Sequence, residues 1–144
     1  LGLLAAIQPH FVFSDFWIPE RLGPRRARWT YAFRSLIESG VRVAASSDAP
    51  VEPLNPLLGV WAAVTRNLSP QERLSVTEAL RAYTLGAAYS SFEENVKGSI
   101  EVGKYADLAV LSHDPLRVKP DNIKDIKVEM TIVGGRIVYK SKDW

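Results

Sequence analysis

The sequence predicts an α/β chain, made of two consecutive strand–helix units of a parallel sheet or barrel followed by a small antiparallel sheet. Three observations carry this. Two short apolar runs, Leu3–Gln8 and Val41–Ala45, are separated by a stretch with helical patterning, and a strand–helix–strand unit is a right-handed crossover in nearly all known cases. A second helical stretch follows the Val41 run. From Lys97 onward the apolar period becomes two, and Gly134-Gly135 sits between two alternating runs, as a tight hairpin requires.

Taken in order, Leu3–Gln8 reads as a buried strand ended by Pro9. His10 then heads a long loop through Phe11, Phe13, Asp15, Trp17 and Pro19, whose aromatic side chains either line an apolar substrate pocket or cover the core. Pro24 near a first turn and Gly40 as a stop bracket the next helix, with Phe33, Leu36 and Ile37 as its apolar stripe and Arg26, Arg34 and Glu38 facing water. Val41, Val43 and Ala45 form the second strand, stopped by Ser46-Ser47-Asp48. Pro50 biases Ala49 away from helix, so the chain leaves this strand as an extended loop. Asn55 and Pro56 are a cap and a first helical residue for a helix with Leu57, Val60, Trp61 and Val64 on its apolar face. After a polar break at residues 67–70, Ser75-Val76-Thr77-Glu78 is a capping box. Leu80, Tyr83, Thr84 and Ala87 continue that helix face, with Gly86 expected to loosen it. The last third offers a strand at Leu108–Leu111 and a hairpin of Val128–Val133 with Arg136–Tyr139.

Composition limits the function classes. A chain of 144 residues suffices for one ordinary domain but not for a complete (β/α)8 barrel, which needs about 200 residues. It begins at Leu1 inside an apolar run, LGLLAAIQ, and is therefore expected to be a piece of a longer protein. The net charge of +2 is too small to imply a polyanionic partner. Arginines 21, 25, 26, 28 and 34 cluster, but they read as a solvated helix face, and no nucleic-acid module accompanies them. The absence of cysteine removes disulfides and thiolate metal sites. No apolar run approaches the roughly 20 residues of a membrane span, and the cytoplasm is the expected location.

Two residues stand where chemistry is commonly placed. Asp48 lies just past the C-terminal end of a buried strand, where the loops of α/β folds converge; an aspartate capping a turn is the alternative. His10 follows the first strand and either packs or orients a substrate. A hydrolytic zinc needs about three protein ligands and an open position. This chain has two histidines, His10 and His113, far apart, and no HxH pair. His113 reads as an ordinary loop residue, and Asp107 as a turn residue.

Four strings carry a resemblance: SDAPVE after GVRVAAS, QPHFVFSDFW followed by ERLG, the small-residue pattern from Thr84 to Ala88, and GSIEVGKYADLAVL. Together they resemble the amidohydrolase superfamily, in the branch related to N-substituted formamide deformylases. The resemblance implies that residues 1–91 are the last two βα units of a TIM barrel and residues 92–144 the C-terminal part of a composite β-sandwich. It implies a metal-dependent hydrolase of C–N bonds in which Asp48 contacts the metal and moves a proton from water to the leaving group, with His10 and Asp15 touching substrate. Trp17, from the aromatic loop, joins them as a substrate-binding candidate. The cofactor implied is a divalent metal, zinc, whose other ligands lie on strands preceding Leu1. The 144 residues alone are accordingly expected to bind no zinc tightly and to be inactive. The partners expected are a small-molecule substrate and, because a quarter of a barrel exposes strand edges, a second copy or the N-terminal part; neither nucleic acid nor a membrane is expected. The competing reading is a non-enzymatic interaction module or a metal-free degenerate homologue.

Overall fold

A computed structural model describes residues 2–142; Leu1, which opens the apolar run, lies outside the described residues. Strands β1 (Leu4–Ile7) and β2 (Arg42–Ala45) pair in parallel, with Leu4 opposite Arg42 and Ile7 opposite Ala45. Ser46 N–H extends the ladder to Ile7 O at 2.9 Å. Both chains therefore leave the sheet at the same end. The loop carrying His10 and the loop carrying Asp48 start side by side.

The crossover between these strands is more broken than its sequence pattern. The aromatic stretch after His10 is not a loop but two short helices, α1 (Phe11–Ser14) and α2 (Ile18–Leu22). The helix expected between Pro24 and Gly40 is likewise two pieces, α3 (Pro24–Ala27) and α4 (Phe33–Glu38). The interruption centres on Tyr31, whose φ of 53° is left-handed and incompatible with a continuing helix. What holds Tyr31 there is a buried arginine. Arg66, with no exposed surface, donates to the carbonyls of Tyr31, Thr30 and Leu68 and lies over the Phe33 ring. Glu72, also buried, fastens the start of α4 by accepting from Ser35 N at 2.9 Å and Ser35 Oγ at 2.6 Å.

Helix α5 (Pro56–Thr65) starts as read, with Asn55 Oδ1 accepting from Leu57 N at 3.0 Å. Leu57, Val60 and Val64 enter the core with Ile7, Phe33 and Val43. A 3-10 turn (Pro70–Glu72) leads to α6 (Val76–Tyr83), where Ser75 and Glu78 complete both halves of the capping box. The helix does not continue past Gly86 as one piece. It breaks at Thr84 and resumes as α7 (Leu85–Ser90). Gly86 serves packing rather than looseness, since a Cβ there would lie 2.1 Å from Val43 O, so its absence lets α7 close onto β2.

The last third is the antiparallel sheet expected, β3 (Leu108–Leu111), β4 (Val128–Val133) and β5 (Arg136–Lys140) in the order β3–β4–β5. Gly134 and Gly135 take φ of 54° and 78°, as a tight hairpin turn demands. Asp107 ties this hairpin, accepting from Gly134 N at 2.7 Å, which is the turn role read for it. A second 3-10 segment (Pro120–Asp125) was not anticipated. It packs on α5 and places Ile123 and Ile126 in the main core.

Candidate functional site at the ends of the parallel strands

The parallel register puts the loops that carry the two residues singled out at strand ends, His10 and Asp48, at the same end of the sheet. Asp48 is exposed, with φ of 56°, a left-handed conformation that Asp tolerates better than most residues. Its carbonyl accepts from Val51 N at 2.9 Å, closing a turn that delivers Glu52 immediately afterwards. The Asp48 carboxylate makes no hydrogen bond or ion pair among the described residues. Ser46, two residues earlier, is fixed from two sides: its Oγ accepts from Gln8 Nε2 at 3.0 Å, and its carbonyl from Tyr83 Oη at 3.3 Å. Burial pushes the Tyr83 phenol up to about 12, so it remains a donor to that carbonyl.

His10 is not free. Its Nδ1 lies 2.5 Å from Glu52 Oε2, and the Glu52 side chain is only 8% exposed. Burial pushes the Glu52 carboxyl up, but hydrogen bonds with Ser14 and His10 and the nearby imidazole outweigh it and hold the group below its ordinary value. The pair thus joins the loop after β1 to the loop after β2. The imidazole lies 6.5 Å from both Phe13 and Trp61, and those two rings stack on each other at 4.4 Å. Part of the aromatic stretch therefore forms a wall beside His10.

Asp15 and Trp17 are placed differently. Asp15 accepts from Tyr31 Oη, and the Tyr31 phenol is driven up first by burial and then by the Asp15 bond and charge, with Glu52 adding to it. Asp15 thus belongs to the tie that includes Arg66, at the edge of the His10–Glu52 region. Trp17 carries Arg21 over its ring at 4.7 Å. No side-chain hydrogen bond or ring contact among the described residues joins Asp15 or Trp17 to Asp48 or His10. Three of the other clustered arginines also have intramolecular work: Arg28 lies over Trp29, Arg26 donates to Leu22 O, and Arg34 makes two bonds to Glu78.

Sequence reading missed Glu52, Tyr31 and Arg66. For Glu52 a signal existed, an acidic residue four places after Asp48 between Pro50 and Pro53. Nothing local marks the other two.

Among the described residues no group of three or more His, Cys, Asp and Glu is placed to hold a metal. A single unpaired carboxylate, Asp48, is short of the roughly three ligands a hydrolytic metal needs. The described residues do not by themselves fit such an ion. No helix of the described residues is long and apolar enough to cross a membrane.

Residues 1–139 match the model of the amidohydrolase family. Over 93% of its length the chain is 40% identical to amidohydrolase YtcJ of Bacillus subtilis, covering 27% of that protein. It is 36% identical to the N-substituted formamide deformylase of Arthrobacter pascens over 76% of this chain and 21% of that protein. An uncharacterized metal-dependent hydrolase from Pyrococcus horikoshii superposes with a TM-score of 0.76 at 37% identity, over 83% of this chain and 26% of that one. The chain thus spans about a quarter of the length of the relatives it matches. With a family match running across both strand–helix units and the antiparallel sheet, the chain belongs to the amidohydrolase family.

Proposed function

We propose that the complete protein hydrolyses C–N bonds of amide, formamide or cyclic-amide type, and that this chain supplies the proton-carrying residue, Asp48. The observation that carries the reading is the free, exposed Asp48 carboxylate at the end of two parallel strands in a chain of this family. A similar formamide deformylase and a similar metal-dependent hydrolase support the bond type and a divalent metal. We read residues 1–91 as the last two units of a (β/α)8 barrel and residues 92–144 as part of a β-sandwich.

A divalent metal, zinc on this reading, would make the attacking water more acidic; apart from Asp48, its ligands would come from outside this chain. One Asp48 carboxylate oxygen takes a proton from the attacking water. The same oxygen returns it to the nitrogen as the C–N bond breaks, so the amine leaves neutral. His10 orients the substrate, and Asp15 and Trp17 border the space it enters. The 144 residues alone are inactive and associate with the N-terminal part or with a second copy.

The test is Asp48→Asn in the complete protein. Asparagine keeps the size of the side chain and removes its basicity, so kcat should fall about 10²- to 10⁴-fold with the fold intact by circular dichroism. A loss smaller than tenfold would sink the assignment. A second reading, a non-enzymatic interaction module, draws on the exposed apolar residues Ile137, Val138 and Tyr139 of β5. Full activity of the complete protein on a formamide would remove it.

A further inference from the structure

Glu52 is a carboxylate taken out of water in a loop, where burial is costly unless the charge is paired. It makes no bond to either strand. Its partners are His10 at 2.5 Å and Ser14, both from the segment that follows β1. An ionised carboxylate only accepts, so Nδ1 of His10 carries the proton of this bond. The stacked Phe13 and Trp61 rings stand beside it, each with its centroid 6.5 Å from the imidazole. With Nδ1 committed, the nitrogen left over is Nε2, which has no hydrogen-bond partner among the described residues and is not sealed from solvent. In the neutral ring with the proton on Nδ1, Nε2 is an acceptor only.

We propose that Glu52 is a positioning residue that holds His10 with Nε2 bare, so that the site accepts a hydrogen bond from the N–H of the scissile amide and favours N-monosubstituted over N,N-disubstituted substrates. The proposal rests on the hydrolase reading above. It adds the determinant of which amides enter. Glu52 follows Asp48 by four positions, just past the turn that Asp48 O closes with Val51 N, so the proton carrier and the holder of the substrate-facing imidazole share one loop.

The experiment compares N-phenylformamide with N-methyl-N-phenylformamide in the complete protein. The wild type should prefer the N–H substrate in kcat/KM by about tenfold or more, the scale of one neutral hydrogen bond left unmade. His10→Ala and Glu52→Ala should each bring that ratio toward one, and the double variant should be no worse than His10→Ala alone, because Glu52 acts through His10. Glu52→Gln, whose amide oxygen still accepts from Nδ1, should keep most of the preference. An unchanged ratio in Glu52→Ala, or losses that multiply in the double variant, would overturn the proposal.

Should Glu52→Ala not fold, ¹⁵N-histidine spectra of the wild type decide the same point. A proton on Nδ1 and a bare Nε2 of His10 support the proposal, and the opposite tautomer overturns it. No turnover of either formamide by the wild type would overturn the substrate class beneath it. Asp48→Asn should slow both substrates alike and leave the ratio in place. An active Asp48→Asn enzyme with a ratio that still collapses in Glu52→Ala would refute the proton carrier and keep Glu52.

Discussion

The strand–helix part of the chain and its antiparallel sheet are held together in opposite ways. In the first part, charged groups are buried and used as ties: Arg66 on three carbonyls, Glu72 on Ser35, and Glu52 on His10. In the sheet, every residue of β5 is exposed, and on β3–β5 only Met130 is buried. Buried charge is a poor source of net stability but a strong constraint on geometry, because each group is costly unless its partners stand in one arrangement. The contrast teaches where this chain invests in position. It does so around the loops that leave β1 and β2, and not in the sheet.

The sharpest way to break that contrast is to remove Arg66. Burial pushes its guanidinium down to about 10, against a rise from Glu72 and a further lowering from Arg73, so the charge itself is a cost and the carbonyl bonds are the gain. Arg66→Met keeps the volume and leaves three carbonyls without their donor. We expect a loss of about 3 kcal/mol or more in urea unfolding. A loss below about 1 kcal/mol would mean that the Tyr31 turn holds without it.

Glu78 offers an intermediate effect with a definite pH dependence. Burial pushes its carboxyl up, but the bonds from Ser75 and the bidentate Arg34 outweigh burial and hold it below its ordinary value of 4.5. A group with a depressed folded pKa stabilises the fold fully above its unfolded value and loses that contribution as pH falls through the folded one. Stability should therefore decline below about pH 4.5, and Glu78→Gln should flatten the decline while costing about 1 kcal/mol at pH 7. Parallel pH curves for the two proteins would refute the assignment.

The smallest effect is expected in the sheet. Ile137→Thr changes a side chain that is 58% exposed, and in the 144-residue chain it should alter stability by less than about 0.5 kcal/mol. A larger cost would show that the open face is covered by another copy, and the two parts would then differ less than they do in one chain.

How much of this was legible in the sequence follows from the range of each signal. Asn55 with Pro56, the Ser75–Glu78 box and Gly134-Gly135 act on neighbours within a few residues, and each lies where it was read. The break at Tyr31 was not legible, because the residue that stabilises it is Arg66, 35 positions on. The His10–Glu52 pair spans 42 positions, so the candidate site could be read as separate strand-end residues but not as a pair. Gly86 reads in the sequence as loosening its helix because its real constraint, the carbonyl of Val43, lies on another element. Local chemistry announces itself along the chain, whereas contact across the fold does not.

Ile123 has one further consequence. The helix that follows the Asp48 loop is completed on its outer side by a residue from the 3-10 segment at Pro120–Asp125, which has no exposed surface once in place. During synthesis the N-terminal residues emerge first, so α5 is made well before its cover exists. The core that α5 packs into is therefore complete only when the ribosome has added the segment around Ile123.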